Sequence, residues 1–149
     1  MFAFTPQGQK LSMVLLRLTR LYTSRLGPIT QKYDLTVDQF FVLLRLADAQ
    51  NPISISELSE HAFVQQPAVT KMMPKFLQRN LVSALKPNQD RRKTMVAITG
   101  EGRALLGEIQ NRITRNMLPF LMAVPYDVQV EFLKHSEHLI AKIESSGNL

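Results

Sequence analysis

Seven basic side chains lie between Gln65 and Ile98, a segment whose only acidic residue is Asp90. The 149-residue chain has a net charge of +6, and the rest of it holds eleven basic and eleven acidic residues, so this segment carries the entire imbalance. Guanidinium and ammonium groups form strong hydrogen bonds with phosphates. A positive cluster on an otherwise neutral chain is typical of a polyanion-binding surface, whereas the alternative is a solvated cationic surface without a partner. The seven residues are Lys71, Lys75, Arg79, Lys86, Arg91, Arg92 and Lys93.

Few other residues offer chemistry. The sequence has no cysteine, which excludes disulfides, thiolate zinc sites, iron–sulfur ligation and thiol redox sensing. It contains no nucleophile–base arrangement, glycine-rich phosphate loop or paired-carboxylate motif. We therefore predict that the protein is not an enzyme and has no cofactor.

One histidine pair suggests an alternative. His135 and His138 are three residues apart, with Glu131 and Glu137 near them, and His61 is the only other histidine. A metal site needs three or four ligands in suitable geometry. A solvated polar helix surface is therefore the favoured interpretation, and no metal ligand is assigned.

The hydrophobic pattern predicts three helices before the basic segment. Apolar residues recur at three- and four-residue intervals over 10–33, which indicates an amphipathic helix that Gly27-Pro28 should bend or interrupt. Thr36 opens a T-x-x-Q capping box for a second helix that ends near Ala49. Ser54 and Glu57 form another capping box and begin the third.

The basic segment itself begins with a fourth helix. It starts near Gln65 with Pro67 in its first turn, and Asn80 is suited to a left-handed position at its end. Its spacing predicts that five apolar residues are buried and that the basic residues lie on the opposite side. The five are Val69, Met72, Met73, Phe76 and Leu77.

Two strands and two further helices complete the pattern. Residues 81–86 and 94–98 read as strands around a turn at 87–90, which is rich in turn-forming residues. Thr99 caps a fifth helix whose end is marked by Pro119 and Pro125, and a sixth helix covers about 127–143. We predict a mainly α fold with a small β-hairpin wing, in the order α-α-α-α-β-β-α-α.

This order is typical of a winged helix-turn-helix plus a helical dimerisation region. The fourth helix would enter the major groove of DNA, where glutamine can pair with adenine and lysine can reach guanine or phosphate. An arginine at the hairpin tip fits a narrow minor groove. Each basic element alone also fits a solvated surface, but their position in one contiguous segment favours DNA binding. The predicted DNA-binding residues are Gln65, Gln66, Pro67, Thr70, Lys71, Lys75, Asp90, Arg91, Arg92 and Lys93.

The sequence resembles the MarR (multiple antibiotic resistance regulator) family of bacterial transcription factors over roughly residues 11–145. The resemblance is carried by 34–82 and by the family's wing signature D-x-R followed by V-x-L-T-x-x-G, which is matched from Asp90 to Gly102 with Ile98 in place of the leucine. It implies a homodimer that binds palindromic double-stranded DNA, with Arg92 in the minor groove and Asp90 holding the wing. Three departures concern base preference and helix orientation: Pro74 inside the fourth helix, Asn80 in place of a common glycine, and the start Gln65-Gln66.

The long amphipathic helices support dimerisation, because one small core cannot bury all their apolar stripes. We expect residues 1–33 to form an N-terminal dimerisation helix, 34–99 the winged helix-turn-helix, and 100–149 the C-terminal dimerisation helices of one intertwined chain. Family members often bind a small lipophilic, often anionic effector. Arg17, Arg20 and Arg45 could pair with such an anion or form ion pairs on the helix surface.

Two functions follow as hypotheses. The first is a sequence-specific repressor of nearby genes that is relieved by an effector. The alternative, suggested by Pro74, is a ligand- or metal-sensing dimer with weak or non-specific DNA binding. The N-terminus lacks a signal-peptide pattern, and the least polar run, 117–126, is too short to span a bilayer and contains two prolines. We therefore expect a cytoplasmic protein that does not enter a membrane.

Overall fold

A computed structural model describes residues 5–86 and 94–146. The predicted fold class is confirmed: the structure is mainly helical, with one small antiparallel sheet. The chain divides into two compact units, residues 1–112 and 113–149, with the boundary inside the fifth helix. The elements are α1 (Pro6–Gln31), α2 (Val37–Asp48), β1 (Ile53–Ser54), α3 (Ile55–Ala62), α4 (Gln66–Gln78), β2 (Val82–Leu85), β3 (Met95–Ile98), α5 (Gly100–Met122) and α6 (Tyr126–Ser145).

Helix α1 begins earlier than the sequence indicated and is not interrupted. Thr5 caps its N-terminus by accepting a hydrogen bond from the Gly8 amide at 3.1 Å, and Pro6 follows in the first turn. The helix then continues through Gly27-Pro28 to Gln31. Near the proline, the Thr30 hydroxyl donates to the Gly27 carbonyl at 3.1 Å. Leu26 and Ile29 are buried on either side of it, so packing outweighs the loss of one backbone hydrogen bond.

Both predicted capping boxes are present. The Thr36 hydroxyl accepts from the Gln39 amide, and the Gln39 side chain accepts from the Thr36 amide. Ser54 and Glu57 repeat this exchange at the start of α3. These reciprocal bonds satisfy two amides that a helix N-terminus otherwise leaves without partners, and so they fix where α2 and α3 begin.

The sheet has three strands in the order β1-β3-β2, one more than the sequence predicted. Strands β2 and β3 form the expected hairpin, with Val82 opposite Ile98 and Leu85 opposite Met95. The additional strand, β1, pairs Ile53 with Val96. It contains only two residues, which is too short for an alternating pattern to be recognised in a sequence.

The core of the first unit brings the elements of the helix-turn-helix together. Its buried apolar residues come from α1, α2, α3, α4, the sheet and the start of α5. One prediction for α4 is wrong, because Leu77 is 44% exposed and Met72 is only half-buried. Val69, Met73 and Phe76 are buried as predicted. The buried stripe of α4 is therefore narrower than the predicted one, which also included Met72 and Leu77.

The second unit contains the end of α5 and all of α6. Helix α5 continues through Pro119 and ends at Met122, and Pro125 is the N-cap of α6. The Gln129 side chain donates to the carbonyls of Leu121 and Val124, which closes the connection between the helices. None of the residues of α6 is buried. In the described ranges 5–86 and 94–146, no helix is both long enough and apolar enough to cross a membrane.

Candidate nucleic-acid interface

Helix α4 presents a polar surface opposite its buried stripe. Gln65, Gln66, Pro67, Thr70 and Lys71 are all exposed, as predicted for residues that face DNA. They are brought to one side because Val69, Met73 and Phe76 fix the opposite side of the helix in the core. A row of amide, hydroxyl and ammonium groups on a helix is suited to base edges and phosphates in a major groove.

The N-terminus of α4 leaves its polar side chains available. Gln65 is the N-cap but makes no side-chain capping hydrogen bond, and the first turn contains no acidic residue. The helix dipole therefore presents an uncompensated positive end to an approaching phosphate. The Thr70 hydroxyl donates to the Gln66 carbonyl at 2.9 Å, so it is oriented to accept a hydrogen bond from a ligand rather than to donate one.

Pro74 lies on the same exposed side but does not interrupt the helix. Helix α4 is continuous from Gln66 to Gln78. The proline ring removes the backbone donor that would bond the Thr70 carbonyl, and on the exposed side this carbonyl can be hydrated. The recognition helix is therefore continuous despite Pro74.

Lys75 differs from the other predicted contacts. Its ammonium group bonds both the Asp34 carboxylate, at 2.9 Å, and the Asp34 carbonyl, while the Arg79 guanidinium donates to the same carbonyl at 3.3 Å. Asp34 has a positive φ of 55° in the connection between α1 and α2. The hydrogen bond from Lys75 lowers the pKa of the Asp34 carboxyl below its ordinary value, so the carboxylate keeps its charge to lower pH. Two cations of the basic segment thus join α4 to the end of α1.

Because of this pairing, we expect Lys71 and Lys75 to contribute differently to DNA affinity. Each phosphate contact that is removed should lower the slope of log affinity against log salt concentration by about 1. Lys71→Ala should therefore reduce the slope by about that amount per protomer, whereas Lys75→Ala should leave it near the wild-type slope. Fluorescence anisotropy titrations of a labelled duplex at several salt concentrations measure both. An equal reduction by the two variants would show that Lys75 leaves Asp34 to contact phosphate.

The end of α4 is joined to the start of α5 by a compact set of hydrogen bonds. Asn80 has a positive φ of 53°, as predicted, and the Leu81 amide donates back to the Phe76 carbonyl at 2.8 Å. The Thr99 hydroxyl donates to the Asn80 carbonyl at 2.6 Å and accepts from the Gly102 amide at 3.0 Å. A Cβ atom on Gly102 would lie 2.2 Å from the Leu81 carbonyl oxygen. The glycine of the T-x-x-G part of the signature therefore allows α5 to lie against the Leu81 carbonyl, an approach that any side chain would prevent.

The β2–β3 hairpin carries the predicted wing. Its strands are paired up to Leu85 and Met95, which are exposed and half-buried, respectively. Asp90, Arg91, Arg92 and Lys93 lie outside the described residues. Their proposed role in the minor groove stays a prediction from the sequence.

The three arginines proposed for an effector lie on two helices, α1 and α2. Arg17 and Arg20 are exposed on α1. Arg45 lines a cavity of about 330 Å³ at the end of α2, together with Asp48 and His61. Its guanidinium is 3.8 Å from the Asp48 carboxylate. The sequence pattern gave no reason to place His61 with Arg45, because the turn between α2 and α3 determines that proximity.

The histidines considered for metal binding are both exposed on α6. In the part of the chain that the structure describes, no three histidine, cysteine, aspartate or glutamate side chains are grouped so that they could hold a metal ion. The structure therefore adds no support for the metal-sensing alternative.

Helices α2, α3 and α4, followed by the β2–β3 hairpin, define a winged helix-turn-helix protein. Its recognition helix is α4, which has one polar, exposed side. The sequence matches the family model for the transcriptional regulator SarA/Rot over residues 25–109, which is more than half of the chain. The protein belongs to this family of transcriptional regulators, within the wider MarR group. The resemblance identified from the wing signature is thereby confirmed, and the chain is a DNA-binding regulator of transcription.

Individual relatives agree with this assignment. The chain is 25% identical over 138 residues to the homoprotocatechuate degradative operon repressor of Escherichia coli, covering 93% of this chain and 90% of the repressor. It shares its fold with the repressor CouR bound to a 23-mer DNA duplex, at a TM-score of 0.73 and 21% identity over 95% of this chain and 99% of CouR. The MarR family regulator AbsC of Streptomyces coelicolor is also similar, with a TM-score of 0.70 and 19% identity over 95% and 99%.

Proposed function

We propose that the protein is a homodimeric repressor that binds a palindromic operator and is released by a small effector. The observation that carries this proposal is the exposed polar side of α4, within a segment that holds the entire net positive charge of the chain. Such a surface binds the phosphate backbone through its cations and reads bases through its amides. We place its action in the cytoplasm, with the DNA, and assign it no catalytic activity.

The exposed apolar residues support a dimer. Apart from Phe63, Leu77 and Leu85, every large apolar residue that is exposed in the described ranges belongs to residues 11–22 or 118–143. Soluble monomers rarely expose apolar patches of this extent. Because a second copy offers the same unburied stripes, the simplest partner is another protomer with two-fold symmetry. Two recognition helices related by that symmetry would read a palindrome whose half-sites are about one helical turn apart.

The proposed roles of the side chains follow from their chemistry. Gln65 and Gln66 would bond adenine edges, and Lys71 would bond a phosphate. The Thr70 hydroxyl would accept a hydrogen bond from a base amino group, because its own proton is donated to the Gln66 carbonyl. Arg92 would enter the minor groove next to each half-site, with Asp90 holding the wing. Lys75, in contrast, would position α4 through Asp34.

The proposed effector site is at the end of α2. A small lipophilic anion could be held by Arg45 and His61 in the cavity at the end of α2, although Asp48 competes for the guanidinium. Arg17 and Arg20 are exposed on α1, so a bound anion would need further contacts from another segment to be enclosed there.

The wing provides the test of operator binding. Wild-type protein should select fragments from its own genome that share a palindrome, and Arg92→Ala should bind the selected duplex at least tenfold more weakly. The variant should unfold at the wild-type temperature, because the substitution falls between β2 and β3 in the sequence and changes none of the buried core residues of the described ranges. Lys134→Ala, which removes an exposed cation of α6, is the matched control and should bind normally. Unchanged binding by Arg92→Ala would contradict the role of the wing, and selection of fragments without a shared sequence would contradict the operator.

A further inference from the structure

We propose that Phe63 is a DNA-contacting residue whose ring packs against a thymine methyl group at the edge of the major groove. The inference rests on the proposed function, because it requires α4 to enter that groove. It adds an apolar base contact from the turn of the helix-turn-helix to the polar contacts of the recognition helix.

Phe63 occupies a backbone conformation that disfavours its side chain. It ends α3 with φ 53° and ψ 35°, the left-handed region, where the Cβ atom crowds the following carbonyl. The conformation is required by the helix end: the Phe63 amide donates to the Glu60 carbonyl at 3.2 Å, and the Val64 amide donates to the Ser59 carbonyl at 3.1 Å. Glycine or asparagine meets this requirement with less strain.

The ring of Phe63 is only slightly buried by the rest of the protein. Phe63 is 67% exposed, so most of its apolar surface is in contact with water. The other two non-glycine residues with positive φ in the described ranges are Asp34 and Asn80, whose types tolerate that region. Asp34 also binds Lys75 and Arg79. A residue that is held in a strained backbone conformation, but whose side chain makes few stabilising contacts, indicates a functional constraint.

The position of Phe63 indicates which ligand would cover the ring. It lies two residues before Gln65, the N-cap of α4, and is exposed like Gln65, Gln66 and Thr70, so it leads directly into the end of α4 that would meet DNA. In the major groove, the apolar group that distinguishes one base is the C5-methyl group of thymine, and phenylalanine is among the residues that contact it. The neighbouring glutamines would read adenine, so an A·T-rich half-site would satisfy both kinds of contact.

The experiment replaces thymine by deoxyuridine, which lacks only the methyl group. In the selected operator duplex, each thymine is substituted in turn, symmetrically in both half-sites, and affinity is measured for wild type and Phe63→Asn. At one position we expect deoxyuridine to weaken wild-type binding about fourfold per half-site. Phe63→Asn, which suits the left-handed backbone but lacks the ring, should bind the thymine and deoxyuridine duplexes equally at that position.

Stability measurements separate a DNA contact from a structural role. Phe63→Gly should raise the melting temperature by about 2–4 °C, because the strain is relieved, while lowering operator affinity. A lowered melting temperature in both variants would assign the ring to the fold and overturn the proposal. So would a thymine dependence that Phe63→Asn retains, or wild-type binding that is insensitive to deoxyuridine at every position. Failure of wild type to prefer the operator over unrelated DNA would instead contradict the proposed function.

Discussion

Gly102→Ala should destabilise the first unit by about 3 kcal/mol, near the upper end of the range for overpacking. The new Cβ atom would lie 2.2 Å from the Leu81 carbonyl oxygen and 2.7 Å from Cγ1 of Ile98. The carbonyl is held in place because it accepts a hydrogen bond from the Thr99 amide at 3.1 Å, so it cannot simply move away. Relief of the clash requires α5 to separate from Leu81, which also breaks the Thr99 bridge to the end of α4.

Gly107→Ala is the matched control, since it makes the same substitution in the same helix. A Cβ atom on Gly107 meets no atom within 4 Å, and alanine is the better helix former. We therefore expect Gly107→Ala to raise stability by about 0.5–1 kcal/mol. Thermal unfolding followed by circular dichroism, at one fixed protein concentration, measures both variants. If Gly102→Ala melted at the wild-type temperature, the close contact between α5 and the Leu81 carbonyl would be wrong.

Phe132→Glu should convert the proposed dimer to monomers and weaken operator binding at least a hundredfold. Phe132 is 57% exposed on α6 and belongs to an apolar stripe with Val128, Leu139 and Ile143. A glutamate buried there in a dimer interface would lose its hydration without an opposite charge. Monomers would bind each half-site separately, so the effective concentration supplied by the partner would be lost.

The oligomeric state is measured by sedimentation velocity, and affinity is measured on the selected duplex. His138→Glu is the control because it introduces the same charge on the opposite, polar side of α6, and it should remain dimeric. A dimeric Phe132→Glu with normal affinity would mean that this stripe is not the interface.

Local chemistry explains why much of the fold could be predicted from the sequence. The capping boxes at Thr36 and Ser54, the left-handed Asn80 and the Thr99 cap each involve residues within a few positions of one another. Such signals depend little on the rest of the fold. The exposed side of α4 was predicted for the same reason, because its helical period separates apolar from polar residues.

The errors occurred where tertiary packing outweighs local preference. An interruption of α1 at Pro28 and an end of α5 near Pro119 were both possible from the sequence, yet both helices continue through the proline. The strand β1 exists only because β3 offers an edge to Ile53. The pairing of Lys75 with Asp34 spans 41 residues of sequence, so the pattern of charge could not reveal it, and a DNA contact by Lys75 stays a prediction. These contacts depend on how distant segments meet, which periodicity does not encode.

The most direct measurement counts the protomers on DNA and tests sequence preference together. A fluorescent duplex carrying the selected palindrome is sedimented with the wild-type protein while an unlabelled duplex of shuffled sequence is added. We expect two protomers on each duplex and retention of the complex at a large excess of the shuffled competitor. A single protomer on the duplex, or displacement by the shuffled sequence as effective as by the palindrome itself, would contradict the account.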